Sequence, residues 1–509
     1  MKTPPTIFVA GSGQDVAQDG ASAECGRGGL IRSSWIWYMV ILATVFWALV
    51  FSLHSGMQGD LTSVLFKPSA ISLPLLSSFT FDKNPTPEQA PVMAAEAAVA
   101  DDRCAGRYIY MYDMPPRFNV DLLRDCRALR PWTDVGMCQY IVNGGMGEPL
   151  GDEGGVFSER GWFATDQFVL DIIFHGRMKR YGCLTNDSAF ADALFVPFYG
   201  GCDIGRYLFS KNASIKDALS DDFVGWLVQQ PEWRVMGGRD HFFVPGRTTW
   251  DFLRRGEAGW EWGNKLLLYP AAKNMTAILV ESSKWSPNNF AIPYPTYFHP
   301  ETAADVIAWQ EKVRSLEREW LFSFAGGPRK GNGTIRADII RQCRASSFCN
   351  HLHCGGAAAA KCNSPGAVMS VFQNSHFCLQ PRGDTMTRRS TFDTILSGCI
   401  PVFFHPGSAY EQYTLHFPPE PDSYSVLIMH SDVTGRNVSI EETLRRIPPE
   451  RVKTMREQVI QLIPTVVYAD TRSRRVDFRD AFDVAIDAVI DRVARRRRGD
   501  PDGRQKWHA

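Results

Sequence analysis

Between Cys104 and Phe404, short apolar runs of strand length alternate with stretches of helical periodicity, and no other feature restricts the fold as strongly. In the first half the runs are RYIYMYDMP, ALFVPFYGG, HFFVPG and AILVES, separated by stretches such as TDQFVLDIIFHGRMKRYG. In the second half the order is WLFSFAGG, TIRADIIRQCRA, SPGAVMSVFQN, HFCLQPRG, RRSTFDTILSG and CIPVFF. Unbroken apolar runs suit strands buried on both faces, and strand–helix–strand order predicts parallel sheets covered by helices. Because the pattern occurs twice, the expected fold is α/β with two Rossmann-like domains facing a cleft. We expect these domains over residues 104–305 and 306–475, with the polar helical segment 300–318 at the junction. Ala481, Phe482, Ala485, Ile486, Val489, Ile490 and Val493 fall on one helical face and predict a C-terminal helix over 476–494. The basic run that follows, 495–509, reads as a solvated tail.

Residues 35–53, WIWYMVILATVFWALVFSL, carry no charge and are long enough to span a bilayer as a helix. Arg27 and Arg32 precede this run and only Lys67 follows at comparable distance. That bias puts residues 1–34 in the cytosol and the bulk of the chain in a lumen. The Ser-, Pro- and Ala-rich stretch 54–103 reads as a spacer. Five Asn-x-Ser/Thr sequons, at Asn186, Asn212, Asn274, Asn332 and Asn437, all lie after the anchor. So do eleven of the twelve cysteines, which suits disulfides in an oxidising compartment and leaves at least one thiol unpaired within the chain. With 55 Lys+Arg against 55 Asp+Glu, the chain lacks the basic excess of a nucleic-acid binder.

The densest chemistry lies in SHFCLQPRGDTMTRRSTFDTILSGCIPVFF, residues 375–404. A strand runs into the loop Arg382, Gly383, Asp384, and a helix is expected from Thr387 to Gly398. In a doubly wound sheet such a loop lies at the carboxyl end of the strand, and the helix start offers free N–H groups. With Arg382, Arg388 and Arg389 beside it and Ser390 at the helix start, the arrangement suits a diphosphate. Asp393, one turn on, can accept hydrogen bonds from ribose hydroxyls.

These residues carry a resemblance. Cys378 to Val402, with Gly-Asp, an Arg pair, F-D-x-I-L and S-G-C-I-P-V, resembles the C-terminal signature of the exostosin-type glycosyltransferases, family 47. RYIYMYDMPPRFN, WFATDQFVLDIIFHGRMKRYGCLT, ALFVPFYGGCDIGRYL, GRDHFFVPGRTTWDF and WLFSFAGGPRK are similar to the plant branch containing xyloglucan galactosyltransferases. The resemblance implies an inverting GT-B enzyme of two Rossmann-like domains, the first for the acceptor and the second for the nucleotide sugar. It implies a single-pass type II Golgi membrane protein that uses a UDP-sugar as substrate, with no cofactor. In that branch the donor is UDP-galactose and the acceptor a xylose side residue of xyloglucan, and association with other Golgi transferases is implied as well. Arg329, in the AGGPRK loop, and Arg336, opening the next helix, are the further donor contacts in this scheme.

A metal is not expected, because the one Asp-x-Asp pair of the kind that holds Mn²⁺ or Mg²⁺ is Asp500 and Asp502, in the basic tail. For the base that takes the acceptor's proton we select His241, oriented by Asp240, with Asp203, Asp166 and Glu281 as rivals. Cys343, Cys349, His351, His353, Cys354 and Cys362 have zinc-ligand chemistry, but the compartment favours disulfides. Three alternatives stay open: a different UDP-sugar or wall polymer, a non-catalytic partner with an intact fold, and a glycoside hydrolase with paired carboxylates.

Overall fold

A computed structural model describes residues 104–502, apart from 135, 259–260, 285, 330–333 and 356–361. The apolar run 35–53 and the spacer lie outside the described residues; among the described residues no helix is long and apolar enough to cross a membrane. The apolar runs form two sheets. The first contains β1 (Ile109–Met111), β2 (Leu184–Thr185), β3 (Ala193–Phe195), β4 (His241–Phe243), β5 (Thr276–Leu279) and β6 (Asn289–Ala291), in the order β2-β1-β3-β4-β5-β6. The second contains β7 (Trp320–Gly326), β8 (Cys349–His353), β9 (Ser375–Gln380), β10 (Ile400–Phe403) and β11 (Val426–Leu427), in the order β11-β10-β9-β7-β8.

Every pairing in both sheets is parallel. Strands β3, β4 and β5 are buried at every residue, which explains why their sequences are apolar runs and not alternations. In each sheet the strand order reverses once, between β1 and β3 and between β7 and β9. Crevices at the carboxyl ends of such strand pairs are where open α/β sheets bind ligands.

All described residues belong to one compact unit. The helix Ala303–Ser315 joins the sheets, begun by a capping box between Thr302 and Asp305. Its polar sequence hides a stripe of Val306, Trp309 and Val313, all buried. Trp309 packs against Trp162 and Phe298 from the first half and donates its indole N–H to the Leu396 carbonyl of the second, 2.8 Å away.

The C-terminal helix, Ala481–Arg498, returns to the first sheet. Its seven apolar positions are buried, and Phe482 packs on Phe174. Asp480 caps the helix start and accepts from Arg177 Nε at 2.9 Å. The reading of residues 495–509 as a solvated tail needs correction at its start, where 495–498 continue the helix; Arg497 and Arg498 are exposed, and 503–509 lie outside the described residues. Arg496 is buried and donates to the carbonyls of Arg239 and Asn274 at the edge of the first half, and Arg492 donates to Pro287. These arginines continue the buried stripe at helical spacing, so their heads meet backbone carbonyls instead of water.

Five disulfides, Cys104–Cys183, Cys126–Cys138, Cys343–Cys349, Cys354–Cys362 and Cys378–Cys399, pair every described cysteine except the buried Cys202. The Cys/His cluster is therefore a disulfide region. His351 lies flat against Phe324 and its Nε2 meets the Gly326 carbonyl at 3.1 Å.

Candidate active site

The loops after β7 and β9 meet at the strand-order reversal of the second sheet and gather arginines there. Arg329 follows β7, Arg336 opens the helix Ile335–Ala345, and Arg382 and Arg388 lie in the loop after β9. Arg336 Nε donates to the Arg382 carbonyl at 3.2 Å, and Arg388 Nη1 to the Pro381 carbonyl at 3.4 Å. Arg329 is paired with Asp384, whereas Arg336, Arg382 and Arg388 make no ion pair among the described residues. Burial, then the neighbouring Arg388 and Arg329, hold the Arg336 guanidinium well below its usual range. Burial and Arg329 lower Arg388 in the same direction, to about 10. Like charges packed together with a single carboxylate partner are a standing electrostatic cost that a polyanion would remove.

The helix after this loop differs from expectation. It spans Ser390–Leu396, not Thr387 to Gly398, and its start has no side-chain cap. The N–H groups of Thr391, Phe392 and Asp393 already donate to the Arg388 and Arg389 carbonyls. An anion at this site would therefore meet mainly guanidinium groups, with few helix amides left to share it. Ser390 is also engaged: its hydroxyl donates to Gln380 Oε1 at 2.6 Å, and Gln380 in turn donates to Thr394.

Asp393 is buried in the first turn of this helix, 3.6 Å from Arg389 Nε, and its Oδ1 is buried without a hydrogen-bond partner. Burial pushes its carboxyl up to about 6 against the pull of Arg389. Arg389 does not point into the arginine group. It lies 3.5 Å over the Tyr297 ring and donates to the Thr165 carbonyl at 2.5 Å, tying the second half to the first.

Glu281 makes the tightest link between the halves. It follows β5 at the carboxyl edge of the first sheet and is 1% exposed. Its Oε2 accepts from Thr385 Oγ1 at 2.6 Å, from the Thr387 amide at 2.8 Å and from the Thr387 hydroxyl. Its Oε1 accepts from the Trp250 indole at 3.0 Å. Tyr294 OH meets the Thr387 hydroxyl at 3.0 Å, and Gln412 holds Ser282, the residue after Glu281. The arginine loop is thus anchored by a carboxylate from the opposite sheet.

The structure corrects the choice of base. His241 is the first residue of β4, at the amino end, away from the carboxyl edge where Glu281 and the loops gather. It has no exposed surface, and both ring nitrogens are engaged, Nδ1 with Asp240 at 2.7 Å and Nε2 with Tyr112 OH at 2.8 Å. The pair is a satisfied core contact. Among the rivals, Glu281 is saturated by its donors and Asp166 is paired with Arg130 at 2.6 Å. At Asp166 burial would raise the carboxyl, but Arg130 and the Phe168 amide overcome it and leave it below its ordinary value.

Asp203 differs from these. It lies in the first turn of the helix Gly200–Tyr207, which follows β3 at the first sheet's strand-order reversal. Its Oδ2 is buried without a partner, and burial, opposed by Arg206, pushes the carboxyl up to about 7. Gly201 permits this helix start, because a Cβ there would sit 2.4 Å from the Pro245 carbonyl.

No group of three or more potential metal ligands occurs among the described residues. Asp502 binds Arg492 and Arg496, and Asp500 binds Arg498, so the Asp-x-Asp pair is committed to arginines. Asn186, Asn212, Asn274 and Asn437 are exposed; Asn332 lies outside the described residues.

Fold and site together define a two-sheet parallel α/β protein with an arginine-lined, carboxylate-latched loop at the seam. The exostosin GT47 domain matches residues 103–444, and the chain belongs to this glycosyltransferase family. It is 55% identical over 407 residues to xyloglucan galactosyltransferase MUR3 of Arabidopsis thaliana, covering 80% of this chain and 65% of that protein. It is 46% identical over 416 residues to an Arabidopsis thaliana protein described as "Probable xyloglucan galactosyltransferase GT12", covering 79% and 80%. A third relative, xyloglucan-specific galacturonosyltransferase 1 of the same plant, is 41% identical over 396 residues, covering 77% and 58%.

Proposed function

We propose that this chain transfers galactose from UDP-galactose to a xylose side residue of xyloglucan, with inversion at the anomeric carbon. The observation that carries the reading is the group of Arg329, Arg336, Arg382 and Arg388 at the seam, held together with one paired carboxylate. A diphosphate is the polyanion that such a group suits, and the relatives' names supply the sugar and the polymer. In this reading the first sheet serves the acceptor and the second the nucleotide sugar, in a GT-B arrangement, and Asp393 receives the ribose hydroxyls.

In the reaction the acceptor hydroxyl oxygen forms a bond to the anomeric carbon as the bond from that carbon to the β-phosphate oxygen breaks. Asp203 takes the hydroxyl proton, and the arginines hold the charge that accumulates on UDP. No metal enters this scheme. We further propose a type II Golgi anchor at residues 35–53 and a luminal body. The five disulfides and the exposed sequons Asn186, Asn212, Asn274 and Asn437 favour that compartment.

The test is to incubate the full-length chain with xyloglucan and, separately, UDP-galactose, UDP-galacturonate, UDP-glucose and UDP-xylose, then to identify the linkage formed. β-Linked galactose on xylose is expected. Transfer of galacturonate alone would move the donor to that of the third relative, and transfer from none of the four would refute the reading.

A further inference from the structure

Trp132, Phe209 and Trp262 form a ring-to-ring strip outside the donor site, and Trp250, which reaches Glu281, adjoins it beside Asp251. Trp132, Phe209 and Trp250 are 38%, 45% and 47% exposed, unusual for rings of this size in a well-packed body. Trp132 and Phe209 meet edge to face with centroids 4.7 Å apart, and Phe209 meets Trp262 at 5.6 Å. Trp262 donates its indole N–H to Asp251, the residue after Trp250, at 2.6 Å. The residues come from three separate segments, so no single helix face or loop accounts for the grouping.

Both ends of the strip are tied to the arginine loop. At one end Trp250 donates to Glu281, which holds Thr385 and Thr387. At the other, Trp132 lies two residues from Arg130, which pairs with Asp166; the neighbouring Thr165 carbonyl accepts from Arg389. Arg130 is committed to Asp166, and Asp251 to Trp262 and Arg247, while the exposed charges two residues from Trp132 and Phe209, Asp134 and Lys211, are opposite in sign. An apolar strip flanked by charges of both signs, and tied through Trp250 and Glu281 to the arginine loop, fits the apolar faces of pyranose rings better than it fits a partner of one charge.

We propose that Trp132, Phe209, Trp262 and Trp250 form a platform on which the β-glucan backbone of a neutral polysaccharide acceptor stacks while one side residue reaches the donor. This rests on the reading of the chain as a polysaccharide transferase. It adds that acceptor affinity depends on backbone length, because several rings must stack at once.

The test compares the full-length wild type with Trp132→Ala/Phe209→Ala and with the ring-preserving Trp132→Tyr/Phe209→Tyr. Three quantities are measured: retention on gels containing xyloglucan without donor, KM for polymeric xyloglucan and for its heptasaccharide, and the affinity for UDP. The double alanine variant should lose retention and show KM for the polymer raised about tenfold or more, with a smaller rise for the heptasaccharide. The tyrosine variant should recover most of the loss, and UDP affinity should stay within twofold in all three. Unchanged retention and KM in the alanine variant would overturn the proposal. So would a wild-type dimer in sedimentation that the alanine variant abolishes while keeping its retention, since the strip would then join two copies. If the wild type transfers no sugar from any donor, the proposed function fails, while gel retention still decides whether the strip binds polysaccharide.

Discussion

Glu281 offers a test that separates holding the arginine loop from doing chemistry. Replacing it by Ala strips the acceptor from four donors: the Trp250 indole, the Thr385 hydroxyl and both the amide and hydroxyl of Thr387. The hydroxyls can rotate and the half-exposed Trp250 can reach water, but the buried Thr387 amide cannot. Leaving it unsatisfied costs about 1–3 kcal/mol, and each hydrogen bond to a charged acceptor contributes about 1.5–3 kcal/mol. Because these bonds hold one loop, the losses do not add, and about 3 kcal/mol is a fair total for releasing it. If the loop must be in place to bind UDP, that corresponds to roughly a hundredfold weaker donor binding. Glu281→Gln keeps a carbonyl oxygen that can face the threonines and turns its amide toward Trp250, so only the indole loses its partner. About tenfold weakening is expected there. Titration calorimetry with UDP, together with kcat and donor KM, reads the order wild type, Gln, Ala directly. Were Glu281 the base instead, Gln and Ala would be equally inactive in kcat with UDP affinity unchanged, and that result would refute the latch.

Three further outcomes follow from the same geometry. Activity in EDTA should equal activity with Mn²⁺, since Asp500 and Asp502 are held by Arg498, Arg492 and Arg496; loss in EDTA restored by Mn²⁺ would contradict this. Asp203→Asn should cut transfer by about 10²–10⁴ with UDP affinity intact. Since the Asp203 carboxyl rises from 3.8 to about 7 on folding, its favourable contribution is complete below pH 3.8 and lost as pH rises through 7. The amide should therefore stabilise the protein above pH 7, by up to about 4 kcal/mol, in denaturant unfolding at pH 8, while wild-type activity climbs with pH through about 7. Asp480→Ala removes the cap of the C-terminal helix and leaves the buried Arg177 with only Asp483, 3.8 Å away, as its partner; unfolding should become easier by about 2–4 kcal/mol, and a loss under 1 kcal/mol would show that the returning helix is not fastened there.

Most of the strands visible in the sequence are buried on both faces, because there the apolar run is unbroken: β3, β4, β5, β7, β9 and β10. β1, buried only at Ile109, arises from the run RYIYMYDMP. β2 and β11 have only two residues, β6 opens on the polar Asn289 and belongs to no unbroken apolar run, and β8 is an edge strand whose CNHLH sequence reads as ligand chemistry. The arginine loop was legible for the same reason as β9: a long apolar run fixes where its carboxyl end falls. The position of the base turns on strand direction. In a parallel sheet the ligand edge is the carboxyl edge, so residues preceding a strand face away from it and residues following one face toward it. Asp240 and His241 open HFFVPG and fall on the far side; Asp203 follows ALFVPFYGG, Glu281 follows AILV, and Arg329 and Arg382 follow WLFSFAGG and HFCLQ. Strand direction alone therefore removes His241, and it leaves Asp203 and Glu281 at the ligand edge. What sequence could not supply is the difference between those two: one carboxylate is saturated by four donors and the other has a buried oxygen with none. Three of the four bonds on Glu281 come from Thr385 and Thr387, more than a hundred residues along the chain, and they separate a carboxylate that holds the arginine loop from one with an unpaired buried oxygen.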